Sequence, residues 1–307
     1  MMNDRSNECY DVVIAGGGPA GLQAALVTVR AGKKTVVFDD PQPPRNSASR
    51  GVHNMIGIDG LSPSQFRETV WKQINVYQNA ELRDECVVDI SRGESGPFLV
   101  TGSDGTKIET EKVILSLGYR DIYPKVPGFL ECWGRTIINC PYCDGYENKS
   151  SVWGFVPGSL KELSSFPKLS LNWTTDIIVF LPAGIGIDEE YRQELMVSGI
   201  KIREGIITAI HNTGGRIDAV TLDTGERIPV GTLLWIPPRE PVPLLNNMVE
   251  SLGLILDESA QVVTDENNCT NVPGIWAAGE VRRCCSNALD SAVDGSKAAK
   301  SVLFGWY

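Results

Sequence analysis

The chain has 307 residues and a mass of 33.4 kDa, with 42% hydrophobic and 21% charged residues. This length favours two domains over a single large one, and the composition excludes a mostly disordered or fibrous protein. A net charge of −10 disfavours nucleic acid and anionic membranes as partners, because lysine and arginine dominate phosphate binding. No apolar run approaches the ~20 residues of a membrane span, and the polar N-terminus lacks a secretion signal. A cytoplasmic location is therefore predicted.

The first motif lies near the N-terminus, between a predicted strand at residues 11–15 and a predicted helix at residues 22–27. It has the pattern G-x-G-x-x-G. The first glycine permits a tight turn, the second lets the backbone approach a pyrophosphate, and the third lets the helix pack closely on the strand. The candidate cofactor-binding residues of this loop are Gly16, Gly18, Pro19, Ala20 and Gly21.

Two acidic residues follow the second predicted strand, residues 34–38. Asp39 lies 18 residues beyond Gly21, and Asp40 is next to it. A carboxylate at this point can accept hydrogen bonds from an adenosine ribose. A Rossmann loop that binds no nucleotide is the alternative. The glycine loop, its strand–helix setting and the acidic residue together favour a nucleotide.

A further motif near the C-terminus indicates which nucleotide this is. Residues 270–281 predict a strand that runs into Gly279 and Glu280. This segment resembles the second FAD motif of flavoprotein disulfide reductases, in which the glycine and the acid reach the ribityl and pyrophosphate part of FAD. That family usually has aspartate where this chain has Glu280, and the extra methylene changes the reach of the carboxylate. The segment from Ala288 and Leu289 onward resembles the helix whose N-terminus faces the flavin and stabilises negative charge there.

Eight cysteines are scattered along the chain, and only Cys140 and Cys143 stand two residues apart. In a cytosolic chain this spacing indicates a redox pair or half of a metal site. The two histidines, His53 and His211, are isolated, and the adjacent pair at 284–285 does not have zinc-ligand spacing. A redox pair is therefore favoured over zinc. Two inert buried thiols are the third interpretation, and the flanking turn residues disfavour it.

The segment 137–147 resembles the C-x-x-C-D-G motif of low-molecular-weight thioredoxin reductases, and the similarity extends over residues 10–145 and from about 237 to the end. The resemblance implies that Cys143 lies nearest the flavin and that Cys140 is the interchange thiol. Asp144 would be the general acid or base, or would cap the following helix. The same family pattern supplies the remaining candidate cofactor residues, which are Arg45, Asn46, Val88 and Gly118.

The resemblance also implies partners and assembly. The expected cofactor is FAD, the expected partner is a thioredoxin-like protein or a small dithiol or disulfide, and the expected assembly is a homodimer. Family members carry a second dinucleotide fold that binds NADPH. The expected fold class is therefore α/β, with two Rossmann-like three-layer dinucleotide-binding domains, the second inserted in the first.

The second dinucleotide motif departs from the family pattern. Its glycine positions read Gly154, Val156 and Ser159, and Val156 places a branched side chain where glycine lets phosphate approach. Pro167 is expected to break the following helix early. Residues 182–190 hold no cation for a 2′-phosphate. We therefore expect a domain that keeps its fold and does not use NADPH.

Loss of NADPH would leave the disulfide chemistry intact but remove its usual electron source. The chain is then similar to family branches with degenerate second domains: ferredoxin-linked flavin thioredoxin reductases, diflavin-linked disulfide oxidoreductases, and dithiol oxidases of natural-product synthesis. By similarity to these branches, the electron donor could be of the ferredoxin type, a second FAD could be bound, or oxygen could accept the electrons. A flavin-bound redox sensor or scaffold without turnover is the alternative of a different class.

The predicted domain organisation follows from these motifs. An FAD-binding domain is expected from residues 1–118 and 240–307, and a degenerate NADPH-type domain with the redox pair from residues 119–239. Proline-rich crossings at 124–128 and 236–241 are predicted to let the two domains rotate.

Overall fold

A computed structural model describes residues 8–93, 96–182, 184–283 and 287–305. The chain divides into two compact units, one from residues up to 44, 54–120 and 240 onward, and one from 45–53 and 121–239. The predicted boundaries differ from these units at residues 45–53, which the prediction placed in the FAD-binding domain. That segment packs with the second unit, where Arg45 pairs with Asp121 at 2.9 Å.

The strands of the described residues are β1 (Glu8–Tyr10), β2 (Val12–Ala15), β3 (Thr35–Phe38), β4 (Ala80–Arg83), β5 (Val87–Arg92), β6 (Phe98–Gly102), β7 (Lys107–Thr110), β8 (Val113–Leu115), β9 (Tyr119–Asp121), β10 (Ile137–Ile138), β11 (Trp153–Val156), β12 (Ile177–Leu181), β13 (Lys201–Glu204), β14 (Ile207–Thr213), β15 (Arg216–Leu222), β16 (Arg227–Pro229), β17 (Thr232–Trp235), β18 (Arg239–Pro241) and β19 (Ile275–Ala277).

The helices are α1 (Pro19–Arg30), α2 (Pro63–Ile74), α3 (Phe129–Cys132), α4 (Pro141–Asn148), α5 (Leu160–Ser170), α6 (Glu189–Val197), α7 (Pro243–Leu252) and α8 (Ala288–Phe304), with a 3₁₀ turn at Gly279–Val281.

The first unit is built on a parallel sheet of order β19-β8-β2-β3-β4. All four residues of β2 and of β3 are buried, as expected for parallel strands covered on both faces. Strands β1, β7, β6 and β5 form a second sheet, and α7 packs beside β5. The predicted strands at 11–15 and 34–38 and the helix after the glycine loop are therefore present.

Helices α1 and α8 pack closely because of a glycine at their contact. A Cβ on Gly295 of α8 would lie 2.0 Å from the carbonyl oxygen of Ala20 in α1, so only glycine permits this approach. The contact places the first turn of α1 beside α8.

The second unit repeats the parallel arrangement, with the order β10-β17-β11-β12-β13. Its β14, β15 and β16 form an antiparallel sheet. Trp153, Phe155 and Phe180 are almost fully buried in its core. The unit therefore has the strand order and hydrophobic packing of a dinucleotide fold.

The prediction that Pro167 ends its helix early is wrong. Helix α5 runs through Pro167 to Ser170. A proline lacks the N–H that would bond the carbonyl four residues earlier, which here belongs to Leu163. The hydroxyl of Tyr191 in α6 donates a 2.7 Å hydrogen bond to that carbonyl. A partner from the neighbouring helix thus satisfies the acceptor that the proline leaves open.

This substitute bond leads to a prediction by a double-mutant cycle. Tyr191→Phe should lower the free energy of unfolding by about 1–3 kcal/mol, because it leaves the Leu163 carbonyl without a donor. In a Pro167→Ala background the restored N–H can bond that carbonyl. Tyr191→Phe should then lower the free energy of unfolding clearly less. Urea unfolding followed by circular dichroism measures both costs. Equal costs in the two backgrounds would contradict the account.

Candidate active site

The glycine loop of the first unit is held in a left-handed turn. Gly16 has φ of +111°, and a Cβ there would lie 2.5 Å from the carbonyl oxygen of Ser116. The Ser116 hydroxyl donates to the Gly16 carbonyl at 2.8 Å. A Cβ on Gly21 would lie 1.9 Å from that same carbonyl oxygen. Both glycines are therefore required by the loop itself.

Gly18 differs from its neighbours because it faces open space. A Cβ on Gly18 would have no protein atom within 4 Å. Gly18 is also the N-cap of α1, with Pro19 as the first helical residue, and no side chain caps this helix start. An uncapped helix N-terminus with room beside it fits the pyrophosphate of a dinucleotide. The residues present therefore fit FAD at this loop.

Asp39 is engaged by the protein at the end of β3. It accepts a 3.1 Å hydrogen bond from the backbone N–H of Gly17 and forms an ion pair with Arg67. Its neighbour Asp40 is exposed and accepts from the backbone N–H of Gln42 at 2.9 Å. Asp39 thus braces the glycine loop. The ribose contact predicted for both acids stays a prediction.

The C-terminal motif forms a turn that a buried carboxylate holds. Gly279 has φ of +78° and precedes the half-buried Glu280. Asp294 of α8 is 1% exposed and accepts from the N–H of Gly279 at 2.8 Å. It also pairs with Arg282 at 2.9 Å. Sequence reasoning missed Asp294, because a single aspartate in a helix gives no signal that it is buried.

The remaining predicted cofactor residues lie in several places. Ala288 and Leu289 form the first turn of α8, whose N-cap Asn287 accepts from the N–H of Asp290 at 2.9 Å. Val88 in β5 is exposed, and Gly118 follows β8 with open space around it. Those two and the α8 residues belong to the first unit. Arg45 and Asn46 belong to the second unit.

Cys140 and Cys143 lie at the start of α4 in the second unit. Cys140 is the N-cap, and its sulfur accepts from the backbone N–H of Cys143 at 3.3 Å. The two sulfur atoms are 2.6 Å apart. A disulfide of about 2.05 Å is therefore within easy reach of this pair. The alternative role predicted for Asp144 was that of the cap of the following helix. This prediction is wrong, because α4 begins at Pro141 and Asp144 lies inside it.

The surroundings of the two thiols favour a thiolate at Cys140. Hydrogen bonds from the Cys143 thiol and from the Cys143 backbone N–H lower the pKa of Cys140, although burial opposes them. Donating that hydrogen bond, together with burial, raises the pKa of Cys143. The N-terminus of α4 also stabilises a thiolate at its N-cap, Cys140. Cys140 therefore stays the predicted nucleophile of the reduced pair.

Asp144 lies in the first turn of α4, close to both thiols. Burial raises its pKa to about 6, and a repulsive charge on Glu147 adds to this effect. Ser49 opposes the shift, because its hydroxyl donates to Asp144 Oδ1 at 3.1 Å. A carboxyl group that titrates near pH 6 can take and return protons near neutral pH.

His53 is the residue of this site that the sequence interpretation missed. It was described as isolated, but its Nε2 lies 3.6 Å from Glu147 Oε1 on α4. The distance of more than ninety residues along the chain hid this contact. The signal that could have found it is the position of His53 in the segment after Arg45 and Asn46, which the family pattern had already singled out.

Two other predictions concern metals and membranes. Within the described ranges, no group of three or more histidine, cysteine or acidic side chains could hold a metal ion. Cys284 and Cys285 lie outside the described residues, as does Ala183 of the expected cation loop. None of the described helices is long and apolar enough to cross a membrane.

The family model for pyridine nucleotide-disulphide oxidoreductases matches residues 10–152 and 175–299, which is most of the chain. The chain belongs to this family. Membership implies a flavin cofactor, FAD, and with the relatives it identifies a flavoprotein disulfide oxidoreductase of the thioredoxin reductase type.

Similar proteins support this assignment over the full length. A protein described as thioredoxin reductase aclD, from Aspergillus oryzae, is 28% identical to this chain. The match covers 96% of this chain and 95% of that protein. The crystal structure of a putative thioredoxin reductase TrxB from Bacillus anthracis matches with a TM-score of 0.88 and 28% identity, covering 97% of this chain and 98% of that one. The crystal structure of HlmI matches with a TM-score of 0.87 and 29% identity, covering 96% of this chain and 92% of that one. The α/β fold class with two Rossmann-like domains is confirmed.

The open space at Gly18 leads to a prediction for the cofactor. Gly18→Val should place a side chain where the pyrophosphate binds and abolish FAD retention. It should change the free energy of unfolding of the FAD-free protein by less than about 1 kcal/mol, because a Cβ at this position meets no protein atom within 4 Å. The flavin-to-protein absorbance ratio and urea unfolding measure the two effects.

Gly21→Ala is the matched control for this variant, because its Cβ meets the Gly16 carbonyl and should impair folding itself. A Gly18→Val protein with full FAD occupancy would contradict the assignment of the loop.

The hydrogen bonds at α4 lead to a prediction for thiol reactivity. After reduction, limiting iodoacetamide at pH 7 should modify Cys140 roughly tenfold or more faster than Cys143, since the thiolate is the reactive form. Peptide mass spectrometry measures the two rates. Cys132 is fully buried with a raised pKa and should stay unmodified in the folded protein. Faster modification of Cys143 would mean that the two thiols have exchanged roles.

Proposed function

We propose that this protein is an FAD-dependent dithiol/disulfide oxidoreductase that exchanges electrons between flavin, the Cys140–Cys143 pair and a thiol or disulfide partner, without NADPH as donor. The observation that carries this proposal is the paired sulfur atoms at the start of α4 beside a carboxyl group that titrates near pH 6. The thioredoxin reductases among the relatives support a thioredoxin-like protein or a small dithiol as partner.

The residues of α4 would act in a fixed order when a dithiol is oxidised. Asp144 takes a proton from the incoming thiol, and the resulting thiolate attacks the sulfur of Cys140. The Cys140–Cys143 bond breaks, its electron pair goes to Cys143, and Cys143 takes up the proton. The second substrate thiol then attacks the substrate sulfur bonded to Cys140, that bond breaks, and the proton of the second thiol passes to the displaced Cys140 thiolate. The substrate leaves as a disulfide. Bound FAD supplies the two-electron chemistry that reoxidises the pair, and the reverse sequence reduces a disulfide partner.

The start of α5 supports the absence of NADPH. The N-cap Ser159 accepts from the N–H of Glu162 at 3.2 Å, and the Glu162 carboxylate accepts from the N–H of Gly158 at 2.9 Å. These are the N–H groups that a dinucleotide phosphate would use at this loop. The chain's own carboxylate thus takes the place of the phosphate. The glycine pattern alone did not predict this contact.

The end of β12 supports the same conclusion. Pro182 leads into a turn in which Ile185 and Ile187 pack against the core of the second unit. Arg192 lies beside this loop and pairs with Glu204 at 2.8 Å, so its charge is already balanced. A 2′-phosphate would need a cation here.

The source or destination of the electrons is the finer part of the proposal. Without NADPH, a ferredoxin-type carrier could reduce the flavin, or oxygen could accept electrons from a dithiol. A peroxide assay separates these two directions of electron flow. The protein is mixed with dithiothreitol without oxygen, and air is then admitted; only an oxidase forms stoichiometric peroxide. A redox sensor without turnover would form none and would show no catalytic cycle with either partner. The homodimer and a second FAD stay predictions.

The internal hydrogen bonds at the start of α5 lead to a prediction for pyridine nucleotides. Millimolar NADPH or NADH should not bleach the flavin band in anaerobic stopped-flow measurements. Losing two charge-assisted contacts, at roughly 1.5–3 kcal/mol each, weakens binding more than a hundredfold. Dithionite or dithiothreitol should reduce the flavin in the same instrument.

Glu162→Gln tests the cause of this exclusion, since it removes the carboxylate charge and keeps the side-chain length. It should bind NADPH more tightly than the wild type, although still weakly. Fast bleaching of the wild-type flavin by micromolar NADPH would contradict the proposal.

A further inference from the structure

The segment of residues 45–53 brings polar groups onto the redox helix α4. Ser49 donates to Asp144 at 3.1 Å, and His53 Nε2 lies 3.6 Å from Glu147 Oε1. Packing fixes this segment in place, because a Cβ on Gly134 would lie 2.6 Å from the carbonyl carbon of Ala48. The segment is therefore part of the redox site and not a separate loop.

The groups that face Asp144 have opposed charges. On α4 itself, Glu147 lies one turn further along, Cys140 lies one turn earlier, and Cys143 directly precedes Asp144. From the 45–53 segment come Arg50 and His53. Glu147 raises the pKa of Asp144, whereas His53 and Arg50 lower it. The side chains of His53 and Glu147 are 21% and 26% exposed, so solvent reaches both.

We propose that His53 is a positioning residue for proton transfer at the redox pair: through its contact with Glu147 it controls the charge beside Asp144 while Asp144 exchanges a proton with the reacting thiol. The inference rests on the proposed function, because it needs thiol exchange at Cys140. The proton leaves the substrate thiol for Asp144 and is returned to the Cys143 thiolate when the disulfide breaks, so the step needs no further reactant.

This arrangement acts on Asp144 in a specific direction. A positive charge on His53 lowers the pKa of Asp144 and so favours its carboxylate form, which is the form that accepts the proton of an incoming thiol. Without that charge, His53 no longer opposes the repulsion from Glu147, and the pKa of Asp144 is higher.

The test is the pH dependence of the first reaction of the oxidised protein with dithiothreitol, measured anaerobically in a single turnover. The wild type should show an inflection near pH 6 on the background rise from the reagent's own thiols. His53→Gln should move this inflection upward by roughly 0.5–1 pH unit, because it removes an attractive charge. Glu147→Gln should move it downward, because it removes a repulsive one.

Three controls make the outcome decisive. His211→Gln alters the other histidine of the chain. His211 lies in β14 and forms a 2.8 Å hydrogen bond with Thr221 of β15, so its replacement should leave the inflection in place. Asp144→Asn should remove the inflection altogether. FAD retention and circular dichroism confirm that each variant is folded, and Glu147→Gln tests the charge pair even if His53→Gln does not fold.

The failure of this inference and that of the proposed function are distinguishable. An inflection that persists in Asp144→Asn would overturn the acid–base role of Asp144 in the proposed function. An inflection that disappears in Asp144→Asn but does not move in opposite directions in His53→Gln and Glu147→Gln would overturn only the role of His53 and Glu147.

Discussion

Unsatisfied N–H groups at helix starts are the constraint on which the chemistry of this protein depends. The first turn of any α-helix has donors without helical partners and a partial positive charge. At α1 the start has no side-chain cap and faces open space at Gly18. At α4 the sulfur of Cys140 accepts one of these N–H groups. At α5 the carboxylate of Glu162 takes the corresponding place. In the proposed function, one physical property would thus serve a cofactor phosphate, a thiolate and an internal acid.

Under the proposed function, the contrast between α1 and α5 accounts for a difference in ligand between two similar folds. Both helices follow a parallel strand at the centre of their sheet, and both should attract an anion there. In the second unit the anion is part of the chain, so a dinucleotide would have to displace a carboxylate that is already bonded. The core of the second unit consists of buried strands and aromatic side chains of the chain itself.

The sequence predicted those parts of the molecule that depend on local spacing. The strand–glycine loop–helix unit, the two-residue spacing of Cys140 and Cys143 and the acidic strand end all follow from residue types at fixed intervals. Pro167 was misjudged because the partner of the orphaned Leu163 carbonyl, Tyr191, comes from another helix. His53 was judged isolated because its contact with Glu147 depends on the packing of a distant segment. Such contacts between remote parts of the chain leave no periodic pattern that a sequence could reveal.

The central claim is that the Cys140–Cys143 pair exchanges electrons with bound FAD, and anaerobic titration with dithionite tests it most directly. FAD and a disulfide each accept two electrons, so the account predicts four electrons per chain with one flavin, and two in the Cys140→Ser variant. The flavin content is measured on the same sample, because a second FAD would add two electrons to both values. A wild-type protein with one FAD that takes up only two electrons, all of them in the flavin band, would contradict the account.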